Sequence, residues 1–488
     1  MPDEAPTIAV LGAGVAGICM GIQLKRAGFE SFTIYEKSPD AGGTWLDNTY
    51  PGVACDVPSH LYCFSFEPNP DWSRKYSAQP EIHRYLEHCI ERHGLRPHIR
   101  YGVEIAAARF DEAAGTWRLR TAGGEEITAR VMVSATGQLN RPHVPAIPGL
   151  ESFGGRWFHS ARWDHTRDLT GTNVAVVGNG ASAIQFVPCI APLTKQLTIY
   201  QRTPNWLVPR NDRAYRPAEK WIFRHVPLVN RLYRSWIWLM LEARFFGFFK
   251  DSRLSKLAEQ AARQHLEAQI TNPRLRAILT PDYPVGCKRI LISDDYYPAL
   301  ERPNVEVVTD AVVRVTRDGV VTQDGTTRPA DTIIFATGFE TTTFLAPMEI
   351  EGAGGRRLSE AWRDGAEAYL GVAVSGFPNL FMLYGPNTNL GHNSIIFMVE
   401  CQVRYVIACV RAITERRLAW LDVRTDAMAR FNAHLQDDLK QTAWDAGCTS
   451  WYKTASGKVT NNWSGFTLEY WWRTREPDFS AFEAQPAG

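Results

Sequence analysis

The 488-residue sequence predicts an α/β fold of two doubly wound units, the second inserted into the first and carrying a helical insertion of its own. Three observations lead there. Two glycine-rich turns each follow an apolar run; an apolar strand ending in Ala-Thr-Gly occurs twice; and an aromatic-rich helical stretch lies between the second turn and the second ending. The length agrees, since a chain of this size exceeds one hydrophobic core and two or three domains are expected.

Residues 7–37 read as strand, turn, helix and strand. The turn Gly12-Ala13-Gly14-Val15-Ala16-Gly17 directly follows the apolar residues 8–11 and opens an amphipathic stretch. That is the context of a Rossmann-like dinucleotide site, where glycine lets the backbone approach a pyrophosphate and the helix N-terminus offers free N–H donors. Glu36, 24 residues beyond Gly12, ends the second strand, where its carboxylate can accept a ribose 2′-hydroxyl. Residues 99–137 alternate as strands and end in Ala135-Thr136-Gly137, and a proline-punctuated linker occupies 141–149.

The second unit repeats the pattern. Gly178-Asn179-Gly180-Ala181-Ser182-Ala183 follows the apolar run 174–177, with Ala183 as the small residue the motif admits at its last position. The residue 24 beyond Gly178 is Arg202, which can pair with a 2′-phosphate. One site therefore suits FAD and the other NADPH, the pairing of a flavin enzyme reduced by NADPH. The expected organisation is 1–140 as the first part of the FAD domain and 151–330 as the NADPH domain, with the helical insertion at about 211–280. Residues 331–488 would complete the FAD domain, the chain re-entering it at the second Ala-Thr-Gly, Ala336-Thr337-Gly338. There a strand at 380–384 precedes the loop 385–389. A helix after His392 shows an apolar stripe at Ile395, Ile396, Val399, Val403, Val406, Ile407 and Val410. Its N-terminus suits the flavin pyrimidine edge, which becomes anionic on reduction.

Bulk properties remove other classes. A hydrophobic fraction of 45% and charged fraction of 22% are those of a globular protein, and a net charge of +1 gives no reason to expect nucleic acid as a partner. The nine cysteines include no C-x-x-C pair, so no disulfide framework, zinc ribbon or redox dithiol is expected, and no metal site. The first strand begins too early for a signal peptide, and a cytosolic protein fits best. Aromatic residues crowd 206–249, but the apolar run 232–241 is shorter than the roughly 18–20 residues a membrane span needs. It reads as a packed helical insertion, with a membrane-surface helix or a hydrophobic substrate entrance as alternatives.

Two longer motifs narrow the chemistry. Residues 153–164 fit F-x-G-x-x-x-H-x-x-x-W-[P/D] through Phe153, Gly155, His159, Trp163 and Asp164. Residues 42–56 fit [A/G]-G-x-W-x-x-x-x-[F/Y]-P-[G/M]-x-x-x-D through Gly42, Gly43, Trp45, Tyr50, Pro51, Gly52 and Asp56. With the two glycine turns, the chain resembles the type I Baeyer–Villiger monooxygenases, of the class B flavin monooxygenase superfamily, over essentially its whole length. The resemblance implies that FAD and NADPH are cofactors and that one oxygen atom from O2 is inserted beside a ketone carbonyl, through a peroxyflavin, to give an ester or lactone. It implies Arg289 as the catalytic arginine with Asp56 behind it. Gly12, Gly14, Gly17, Glu36, Thr44, Trp45 and Asp56 would lie at the FAD. Gly178, Gly180 and Ser182 would lie at the NADPH pyrophosphate, and Arg202, Thr203 and Lys288 at its 2′-phosphate. His159 would serve the linker between domains.

The physical logic fits. A nucleophilic oxygen anion needs a fixed positive charge that gives up no proton, and arginine meets that need better than lysine. Partners implied are a small ketone and O2, with a monomer or homodimer as the assembly. An N- or S-oxygenating flavin monooxygenase, and an NADPH-binding flavoprotein without oxygenase activity, are the alternative readings.

Overall fold

The computed structural model describes residues 6–250 and 252–487. Strand β1 (Ile8–Leu11), helix α1 (Val15–Arg26) and strand β2 (Phe32–Glu36) open the first unit, which continues through β3 (Ile99–Tyr101) and β4 (Val131–Ser134). The chain then enters the second unit through β5 (Arg156–His159), β6 (Asn173–Val177), α2 (Ala183–Ile190) and β7 (Gln196–Tyr200). The helical insertion supplies α3 (Pro217–His225), α4 (Pro227–Ala243), α5 (Arg253–Gln269) and α6 (Pro273–Leu279). Strands β8 (Val305–Val308) and β9 (Thr332–Phe335) close that unit, and β10 (Leu380–Met382), α7 (Ile395–Glu415) and α8 (Thr467–Arg473) follow.

The first sheet has the order β10-β4-β1-β2-β3 and the second the order β8-β7-β6-β9-β5, every pair being parallel. Strands β1, β4 and β9 are buried at every position, which is why they read as continuous apolar runs rather than alternating ones. In each sheet the chain first runs to one side of the strand before its glycine turn, then returns to the other side. Both turns thus sit at a topological switch point, at the carboxyl ends of the strands, where open α/β sheets bind ligands.

The repeated Ala-Thr-Gly acquires a different meaning from the one the sequence suggested. Strand β4 runs into Ala135 beside β1, and β9 runs into Ala336 beside β6. The second ending therefore closes the second sheet and does not mark re-entry into the first, so the expected boundary at 331 falls one strand early. The chain returns after Gly338. There the outgoing and incoming linkers bond to each other, His143 N–H donating to Gly338 O at 2.9 Å and Glu340 N–H to Arg141 O at 2.9 Å.

Each Ala carbonyl abuts the first glycine of its turn. A Cβ on Gly12 (φ +105°) would lie 2.8 Å from Ala135 O, and one on Gly178 (φ +101°) 2.4 Å from Ala336 O. Gly17 is tighter still: its Cβ would stand 1.8 Å from Gly12 O, inside the first turn of α1. Among the described residues no helix is long and apolar enough to cross a membrane. Gly17→Ala is expected to destabilise the protein by about 3 kcal/mol or more, since backbone must move to admit the methyl. Urea unfolding of the variant checks this; an unchanged midpoint would show that the turn relaxes freely.

Candidate functional site

A cavity of about 780 Å³ opens at the switch point of the first sheet and reaches the second unit and the loops before α7 and α8. Gly12, Gly14, Glu36, Thr44, Trp45, Asp56, Ser182 and Arg289 all line it. Glu36 is buried, and its carboxylate accepts the N–H of Ala13 at 2.7 Å and of Ser38 at 2.8 Å. It thereby locks the glycine turn while facing the cavity. Gly43 (φ +54°) packs backbone to backbone on Gly14, with a Cβ on Gly43 falling 3.0 Å from Gly14 Cα. The next residues, Thr44 and Trp45, start a short helix over the turn, and the Trp45 indole donates to the Tyr62 hydroxyl at 3.1 Å.

The loop from Tyr50 to Asp56 crosses to the second unit. Gly52 (φ +80°) leaves no room for a side chain, since a Cβ would meet Gln185 O at 2.6 Å. Gln185, on α2, accepts the Tyr50 hydroxyl at 3.0 Å and donates to Ala54 O at 3.0 Å. Tyr-Pro-Gly therefore docks one unit on the other, and Gln185 is a fastening the motifs did not disclose. At the end of this loop Asp56 Oδ2 accepts Arg289 Nη2 at 2.5 Å. The Asp56 carboxylate raises the pKa of the guanidinium above its usual value, outweighing the burial that opposes it. The charge on Arg289 is thus permanent.

Facing that pair are two residues sequence reasoning passed over, Tyr384 and Tyr452, both in the cavity wall. Burial raises the pKa of each hydroxyl, so both stay protonated. The Tyr384 hydroxyl donates to Asn389 Oδ1 at 2.6 Å, and Asn389 Nδ2 donates to Asn462 Oδ1 at 2.7 Å. The loop 385–389 after β10 was visible in the sequence, but its tie to Asn462 spans 73 residues and follows no spacing rule.

The neighbour of Arg289 turns the other way. Lys288 Nζ donates to Thr203 Oγ1 at 2.6 Å, and burial, reinforced by the like charge of Arg202, lowers its pKa. Arg202, Thr203 and Lys288 thus gather at the end of β7 as a cationic cluster that a dianion would relieve. In the adjacent turn, a Cβ on Gly180 would meet nothing within 4 Å, leaving the backbone open to a ligand. Asn179 Nδ2 fastens that turn to the cluster by donating to Gln201 Oε1 and Thr203 O, each at 3.0 Å.

One expectation is corrected beside the site. Cys287 is joined to Cys448, tying the Lys288-Arg289 segment to the loop that carries Trp451 and Tyr452. With a sequence separation of 161, no local pattern announces the bond. The other seven cysteines are free, and all but Cys189 are buried.

His159 lies outside the cavity lining, at the end of β5, where its Nδ1 accepts Ala161 N–H at 3.1 Å and its ring meets Phe339 of the returning linker at a centroid distance of 5.7 Å. Burial pushes its pKa down to about 4, and does the same to His60. Both rings are neutral in the folded protein, whereas the unfolded chain takes up protons below about pH 6.5. Stability from each is therefore full above that pH and falls as pH drops toward 4. His159→Asn is expected to remove about 2 kcal/mol of the stability difference between pH 7 and pH 5, read from urea unfolding at the two pH values. An unaltered difference would show that His159 is already protonated in the fold.

Known proteins resemble this chain in both sequence and fold. Residues 5–349 match the family described as flavin-binding monooxygenase-like. A Baeyer–Villiger monooxygenase of Streptomyces coelicolor is 46% identical over 483 residues, covering 98% of this chain and 93% of that protein. The crystal structure of OTEMO in complex with FAD and NADP superposes with a TM-score of 0.89 at 27% identity, covering 98% of this chain and 99% of that one. The closed crystal structure of cyclohexanone monooxygenase gives a TM-score of 0.89 at 27% identity, covering 99% of both.

Proposed function

Because this chain belongs to the flavin-binding monooxygenase-like family, among its Baeyer–Villiger members, we propose that it is an FAD- and NADPH-dependent Baeyer–Villiger monooxygenase that converts a ketone to an ester or lactone. The observation that carries the reading is the Asp56–Arg289 pair at 2.5 Å in the wall of the cavity that holds the first glycine turn. The residues fit the cofactors. A cavity of about 780 Å³ is the size of a cofactor site, and the glycine backbone leaves its rim bare. Glu36 keeps carboxylate lone pairs for a ribose hydroxyl, and the first unit takes FAD. The second unit takes NADPH, with Arg202, Thr203 and Lys288 on the 2′-phosphate.

Bound FAD, reduced by NADPH, supplies the activation of O2. The protein's part is electrostatic. Arg289 places an undissociable positive charge where negative charge builds on oxygen, and Asp56 fixes its direction. Lysine in that place can release its proton under burial, as the lowered pKa of Lys288 next door illustrates. Gln185 and the Gly52 contact keep the Asp56 loop seated against the second unit, so the charge and the nicotinamide domain move together.

Arg289→Ala is expected to be reduced by NADPH under anaerobic conditions at near the wild-type rate, while ester formation falls by more than about a hundredfold. Stopped-flow flavin bleaching and product analysis with an aliphatic and an aryl ketone check both halves; undiminished ester formation removes Arg289 from the reaction. Arg202→Gln is expected to raise the KM for NADPH by about tenfold or more and to leave that for NADH nearly unchanged. Equal losses with both coenzymes would show that Arg202 does not read the phosphate.

A further inference from the structure

Helix α4 is apolar on two opposite sides, and only one of them is covered. At about 100° per residue, its buried residues Asn230, Ile237 and Leu241 fall within one narrow arc, and the fourth, Glu242, lies about 120° round from Asn230 toward α8. Leu228, Val229, Leu232, Trp236, Leu239 and Met240 fall within a second arc of about 120° on the other side. That second stripe is bare: Leu228 is 63% exposed, Leu232 61%, Trp236 58% and Leu239 53%. A helix apolar all round is normally buried all round. The sequence expectation of a packed insertion therefore holds for the inner face alone.

The bare surface extends beyond α4. Trp221 of α3 and Phe246 just past α4 are exposed, as are Leu468 and Trp472 of α8, which is docked beside α4 by the Trp238 indole donating to Thr467 Oγ1 at 3.0 Å. Exposed large apolar side chains gathered on adjoining helices mark an interaction site.

Charge identifies the occupant. Residues 220–256 contain eight basic and two acidic residues in a chain whose net charge is only +1. Arg224 and Lys250 are paired with Asp71 and Asp445, and Arg234 turns inward to backbone carbonyls. Arg231, Arg244, Arg253 and Lys256, on the same segment, remain exposed. One acidic residue of the segment, Glu242, is itself buried, accepting from Asn393 Nδ2 at 2.8 Å and Thr467 Oγ1 at 2.8 Å. A symmetric contact with a second copy would set this basic segment against itself. An anionic lipid surface complements it, and exposed tryptophans suit the headgroup level of a bilayer.

We propose that the outer face of α3, α4 and α8 docks reversibly on anionic membrane surfaces, lying in the interface plane without crossing it. The docking is independent of the reaction assigned to the cavity. The inner face of α4 holds the fold through Ile237 and Leu241, so the outer face can be altered separately.

The test is flotation of the FAD-loaded protein with phosphatidylcholine vesicles that do or do not contain about a quarter phosphatidylglycerol. Binding to the anionic vesicles, weakened by added salt, and a loss of about tenfold or more in the double variant Leu232→Glu/Trp236→Glu are expected. The variant should keep its flavin content and thermal midpoint, and Arg231→Glu/Arg253→Glu, which spares every apolar residue, should weaken binding in the same direction. Failure of the wild type to float with anionic vesicles overturns the proposal, as does equal flotation of the variants. Concentration-dependent dimerisation in sedimentation, abolished by Leu232→Glu/Trp236→Glu without any vesicle binding, would assign the face to a second copy instead.

Discussion

The ion pair of Asp56 and Arg289 is the contact on which the arrangement of this molecule turns. Its carboxylate comes from a loop of the first unit and its guanidinium from a segment that follows the helical insertion. Neither half has a place without the other. The two side chains are partly buried, 35% and 28% exposed, and each fixes the other at 2.5 Å. The surrounding features read as supports for that meeting: Gly52 admits the loop, Gln185 holds it at both ends, and the Cys287–Cys448 bond anchors the segment opposite.

Lys288 and Arg289 show how two adjacent cations acquire different work. One reaches Thr203 in company with Arg202 and has its charge discouraged by burial and by a like neighbour. The other reaches Asp56 and has its charge reinforced. The first environment favours arrival of an anion; the second favours holding a charge steady near a reacting atom. A single backbone segment therefore serves two sites, and any shift of one unit against the other moves both.

The two units solve the same steric problem in the same way. Each places a glycine with positive φ against the carbonyl of an alanine at the end of the neighbouring strand, at Gly12 with Ala135 and Gly178 with Ala336. The close approach exists because, in each sheet, the strand that ends in the alanine lies on the opposite side of the glycine-turn strand from the strand that follows the turn, and a crevice forms where the chain reverses direction. The repeated Ala-Thr-Gly is thus a packing element of both crevices, and its place in the second sheet explains why the unit boundary lies beyond Gly338.

What the sequence determined by itself was local. Glycine spacing, the apolar runs before each turn, and Glu36 or Arg202 at the end of the following strand are consequences of backbone sterics and helix period, which act over a few residues and so leave a readable pattern. The motif ending in Asp56 and the Lys288-Arg289 pair carried meaning only through the resemblance to the Baeyer–Villiger family. Tertiary structure alone decided which partners these residues meet: Gln185 under Tyr50, Tyr384 and Tyr452 beside the ion pair, Cys448 on Cys287, and Thr332–Phe335 in the second sheet. It also decided which side of α4 is covered, since hydrophobic residues on both faces look alike in a linear chain. Those choices depend on segments more than a hundred residues apart converging in space, and chain folding sets that convergence through the sum of all contacts, with no period to record it.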